Sequence, residues 1–101
     1  MSLANLKQAQ ELKAKLDKVQ KELANITVEA SSGGGAVKVT MNGQQKPLSV
    51  KIAPEVVNPQ DVAMLEDLIL AAISEAQAKA QEAAAKQMSS LTGGLNIPGL
   101  T

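Results

Sequence analysis

The chain has 101 residues, ten cations against ten anions, and a formal net charge of zero. Every cation is a lysine; arginine, histidine, cysteine and all three aromatic residue types are missing. These absences remove His or Cys metal and haem ligation, thiol and imidazole chemistry, base stacking on aromatic rings, and the guanidinium fork that reads guanine.

The length suits one domain, here residues 1–101. Its 25 Leu, Ile and Val residues argue against wholesale disorder. Met1-Ser2-Leu3 leads directly into a charged periodic segment, with no secretory signal. No apolar run approaches the roughly 20 residues that span a bilayer. The expectation is a soluble cytoplasmic protein without a membrane partner.

Residues 3–26 predict a long helix. Ala9, Leu12, Leu16, Val19, Leu23 and Ile26 recur at alternating spacings of 3 and 4, a heptad seam that asks for a partner helix. They fall within an arc of about 100°. Leu3 and Leu6 drift off the seam, so the first turn is expected to fray or pack differently. The period then changes to two. Val28 and Ala30, then Val37, Val39 and Met41, then Leu48, Val50 and Ile52 alternate with polar residues. Ser31-Ser32-Gly33-Gly34-Gly35 and Asn42-Gly43 separate these runs, and Pro54 ends the last. Residues 27–53 therefore predict a three-stranded antiparallel meander with one apolar face. A second long helix is expected over 59–89, with Asn58 as N-cap, Pro59 at its first position and Asp61 in its first turn. Val62, Leu65, Ile69, Ala72, Ile73, Ala76, Ala80 and Ala83 share one face, while Met64, Leu68 and Leu70 lie outside it. The tail, 90–101, carries Gly93-Gly94 and Ile97-Pro98-Gly99 and is expected to be short and irregular. The fold class is α+β.

Helices of about 24 and about 30 residues are ~36 and ~45 Å long, more than a short sheet can cover. Their ends must overhang, leaving the seam and the Met64–Leu68–Leu70 surface wet in a single chain. A symmetric homodimer resolves this, with Leu12, Leu16, Val19, Leu23, Met64 and Leu68 as candidate interface residues.

No catalytic constellation emerges. Glu66 and Asp67 are adjacent, so on a helix they diverge by about 100° and cannot act as an acid–base pair. Ser31-Ser32 before three glycines lacks the spacing and the Gly-Lys-Ser/Thr ending of a phosphate loop. No enzyme activity, cofactor, metal or small-molecule substrate is expected.

One family shares this layout. Gly33-Gly34-Gly35-Ala36-Val37-Lys38-Val39, Asn42-Gly43, Leu65-Glu66-Asp67-Leu68-Ile69 with Ala71-Ala72, Leu91-Thr92-Gly93-Gly94-Leu95 and Ile97-Pro98-Gly99 occur in that family's order over nearly the whole chain. The sequence resembles the YbaB/EbfC family of small bacterial nucleoid-associated proteins. The resemblance implies a tweezer-like homodimer in the cytoplasm that binds double-stranded DNA, associates with the nucleoid and has no enzymatic activity.

Lys7, Lys15, Lys18 and Lys21 lie within about 120° of arc, away from the seam. By residues alone this is an ordinary solvated helix face, since Glu11–Lys15, Asp17–Lys21 and Lys18–Glu22 are all spaced for i,i+4 pairing. The resemblance makes it a candidate phosphate-contacting face. Lys38, Lys46 and Lys51, from the strand region, are further candidates. Residues 1–54 hold eight Lys and four acids, whereas 55–101 hold two Lys and six acids, so nucleic acid should approach the first half. The expected function is duplex binding through phosphates, largely without sequence readout, in nucleoid organisation or gene regulation. The alternative is a dimeric protein-interaction module with negligible DNA binding, docking through apolar helix ends or the Leu95–Leu100 tail.

Overall fold

A computed structural model describes residues 2–93. It is an α+β chain: α1 (Leu3–Ala24), β1 (Thr27–Ser32), β2 (Val37–Asn42), β3 (Pro47–Ile52) and α2 (Val62–Gly93), with 3-10 turns at Gly33–Gly35 and Pro54–Val56.

Neither Gly nor Pro interrupts α1. Its first turn is helical, and the Ser2 hydroxyl accepts the Asn5 N–H at 3.2 Å. The helix ends at Ala24, two residues short of expectation. Asn25 and Ile26 donate their N–H groups back to Glu22 and Leu23 carbonyls at 3.1 and 3.2 Å, and Thr27 then enters the sheet.

The sheet is an antiparallel meander in the order β1-β2-β3. Ala30 faces Val39 and Val39 faces Val50, so the apolar residues of the three strands share one side. Gly33, Gly34 and Gly35 all have φ between 60° and 95°, a left-handed run that any other residue would resist by about 1–2 kcal/mol per position. The β2–β3 turn departs from simple Asn-Gly chemistry. Its left-handed residue is Gln45, at φ 64°, not Gly43. The Asn42 side chain builds the turn instead, its Oδ1 accepting the Gln44 and Lys46 N–H groups at 2.9 and 3.0 Å.

The second helix starts at Val62, later than the Asn58-Pro59 signal predicts. Asp61 caps it, with Oδ1 accepting the Met64 N–H at 3.2 Å. Asn58 closes a turn of its own, accepting from Gln60 N–H through Oδ1 and from Asp61 N–H through its carbonyl, both at 2.9 Å. With no helix breaker before Gly93, α2 continues past Ser89 to that residue. Residues 90–93 of the expected tail are therefore helical, and the rest of the tail lies outside the described residues.

Ala72, Ala76 and Ala80 are fully buried, and their small side chains let α2 lie close against the sheet. They meet Ala30, Val37, Val39 and Met41, with Val28, Val56, Leu65, Leu68, Ile69 and Ile73 packed around them. This is a small core, and α2 lies mainly over β1 and β2. On β3, Leu48, Val50 and Ile52 remain 50, 47 and 38% exposed. The predicted apolar face exists, but one strand of it is bare.

The chain measures 67 × 23 × 18 Å with a radius of gyration of 19.3 Å. A compact domain of this length would have about 13 Å. The excess comes from the helices: every residue from Ser2 to Lys18 is exposed, so most of α1 is a projecting arm.

Candidate nucleic-acid interface

The seam of α1 is divided in two. Val19 and Leu23 are buried within the chain, at 6 and 4% exposure, whereas Leu12 and Leu16 are 45 and 38% exposed. The near end of α1 is thus rooted on the body, where it runs against α2, and the far end is not. Of the other interface candidates, Met64 is exposed. Leu68 is half-buried and packs on the core, beside Gly33, and its carbonyl accepts the Ser32 hydroxyl at 2.5 Å. Leu70, outside the shared face of α2, is 64% exposed.

Lys7, Lys15 and Lys18 are exposed on the arm, and Lys21 is exposed at its root. None of the i,i+4 pairs available to Lys15, Lys18 and Lys21 is formed. Among the described residues, the ion pairs are Lys79–Glu75 at 3.9 Å and Lys86–Glu82 at 3.6 Å, both on α2. Lys79 also donates to the Glu29 carbonyl at 2.8 Å. The lysines of the acidic helix are thus engaged by the protein, and those of the arm present their ammonium groups to solvent. Lys13, not among the sequence candidates, is equally exposed and without an acid partner among the described residues. At 100° per residue it lies about 80° from Lys21 and on the opposite flank of the seam from Lys15, and a simple charge count of the arm would have included it.

The sheet carries a second group. Lys38 and Lys51 stand directly opposite each other in the β2–β3 ladder, on the side away from α2. Like charges so placed repel by a few tenths of a kcal/mol or more unless an anion lies between them. Beside them Thr40 and Ser49 share a 2.6 Å hydroxyl–hydroxyl bond. Lys46 is exposed at the β2–β3 turn, near the root of the arm. The structure thus gathers the candidate lysines into an arm row and a sheet pair, with Lys46 between, and not into one compact patch.

Among the described residues no group of three or more acidic, His or Cys side chains is placed to hold a metal ion. No described helix is long and apolar enough to cross a membrane. An extended row of ammonium groups suits a polyanion met along a line.

The model of the YbaB/EbfC DNA-binding family matches residues 2–95. A protein of Syntrophobacter fumaroxidans named "Nucleoid-associated protein" is 52% identical over 95 residues, covering 94% of this chain and 86% of that one. A Pelotomaculum thermopropionicum protein of the same name is 50% identical and covered to 90%. In solved structures, the uncharacterized protein HP0035 of Helicobacter pylori superposes with a TM-score of 0.70 over 94% of this chain and 97% of its own, at 17% identity, a likeness of fold.

Proposed function

Because this chain belongs to the YbaB/EbfC DNA-binding family, we propose that it is a nucleoid-associated homodimer that grips duplex DNA through its phosphates. Relatives about half identical to it carry the name nucleoid-associated protein, which supports the bacterial nucleoid as its place of action. The observation that carries the reading is the contrast between helices: the α2 lysines are held by Glu75 and Glu82, and the arm lysines by no acid among the described residues. An ammonium group without a protein partner can replace a counterion on a phosphate, and the released counterion drives binding. Lysine without arginine or aromatic side chains reads few base edges, so sequence preference is weak.

Dimerisation supplies the second arm. The bare apolar strip of β3, with Leu12, Leu16 and Met64, is a surface that a second copy related by a two-fold axis would cover. Two arms leaving one central body make a tweezer, and each brings a copy of the lysine row. No cofactor, small-molecule substrate or catalysed reaction enters this mechanism.

A duplex-binding titration at two salt concentrations, with protein mass measured by sedimentation in parallel, tests the proposal. Dimer mass, affinity that falls steeply with salt, and similar affinity for unrelated duplexes of equal length are the expected results. A dimer that binds no duplex at low salt would favour an interaction module docking proteins through its apolar surfaces.

A further inference from the structure

Two features hold the root of the arm: α2 alongside it, and the β2–β3 turn beneath it. The turn grips it closely. The Gly43 N–H donates to the Leu23 carbonyl at 2.9 Å and to the Ile26 carbonyl at 3.1 Å, satisfying backbone acceptors at the C-terminal end of α1. The Gln44 side-chain amide donates to the Gln20 carbonyl and to Gln20 Oε1, both at 3.1 Å. Asn42, 5% exposed, makes the turn rigid through the two N–H groups its Oδ1 accepts.

Gly43 is needed here for space. Its φ is not in the left-handed region, so alanine would suit its backbone. A Cβ at that position would lie 2.7 Å from the Leu23 carbonyl oxygen and 3.1 Å from Leu23 Cα. Both are backbone atoms of α1, so a methyl group is admitted only if the end of the helix and the turn shift relative to each other. From Val19 to Leu3 the arm extends about 24 Å, and a small tilt at the root becomes a large displacement at Lys7.

We infer that the β2–β3 turn sets the direction of the α1 arm, with Gly43 as the positioning residue, and thereby how the arm lysines meet a duplex. The last clause rests on the DNA-binding reading above; the mechanical part does not.

The chain has no cysteine, so Gln10→Cys and Gln77→Cys, both at exposed positions, give two specific spin-label sites on α1 and α2. Pulsed dipolar spectroscopy of labelled chains diluted into unlabelled protein then reports the arm's direction within one chain. Adding Gly43→Ala should shift the mean distance and weaken duplex binding several-fold. Gly34→Ala is the control: its φ of 70° makes alanine strained, but nothing lies within 4 Å of its Cβ. It should lower stability while leaving distance and duplex affinity as in the parent. Gln44→Ala, which removes a clasp and inserts nothing, should broaden the distance distribution, and it carries the test if Gly43→Ala does not fold. An unshifted distance in folded Gly43→Ala, or an unbroadened one in Gln44→Ala if Gly43→Ala does not fold, overturns the inference, as does a moved arm with unchanged duplex affinity. If the parent binds no duplex, the nucleic-acid reading fails, and the distances alone decide whether the turn sets the arm.

Discussion

Single residues in this chain divide sharply by whether anything touches them. Met41 is 1% exposed at the centre of a core made largely of alanine and valine, so little else can fill the space it leaves. Met41→Ala should cost about 2–5 kcal/mol in denaturant unfolding at fixed protein concentration. Asn42→Ala should cost on the order of 1 kcal/mol, because two backbone N–H groups in a part-buried turn lose their acceptor. The surface lysines behave differently. Lys79 and Lys86 take part in exposed pairs that contribute little to stability. Changing both to Gln should shift the unfolding midpoint barely, and should change duplex affinity less than the same change at Lys7 and Lys18. A larger effect from the α2 pair would place the nucleic acid on the wrong helix.

At the scale of elements, the consequential fact is that α2 lies mainly over two strands and leaves the third. Val50 is exposed in the single chain, so Val50→Lys should leave helix content by circular dichroism unchanged while shifting sedimentation from dimer toward monomer. An undiminished dimer mass would remove β3 from the interface. The divided seam makes a paired prediction. Leu23→Asp puts a charge in a buried site and should unfold the chain or destabilise it severely. Leu16→Asp lies on the exposed stretch and should leave the monomer folded, its effect confined to association. Element type and order were legible in the sequence because the period changes cleanly from heptad to two and back, with Gly and Pro between. The split between Leu16 and Val19 was not legible: a heptad defines a face, not the point at which a neighbouring helix stops covering it. Neither was the bare strand, since alternation at Val50 and Ile52 names an apolar side without saying what lies over it. Asn58-Pro59 carried stronger local capping chemistry than Asp61, and the chain used it for a separate turn. Asn42-Gly43 announced a turn correctly, but the closeness of Gly43 to Leu23 is a tertiary fact with no local signature.

The whole molecule is long, thinly cored and electrically neutral, with its uncommitted cations on one projecting helix and one sheet surface. The sequence named those lysines, yet their freedom from acid partners came only with the structure, because i,i+4 spacing offers a pair without compelling it. In a dimer each arm lysine occurs twice, and each phosphate contact contributes about 0.9 to the slope of log affinity against log salt. The decisive measurement is that slope for the parent chain and for Lys7→Gln/Lys18→Gln/Lys21→Gln, on one duplex, with dimer mass verified for both. The triple variant should bind more weakly, with a shallower slope at unchanged mass; parent affinity and parent slope in that variant would show that these lysines do not meet the duplex.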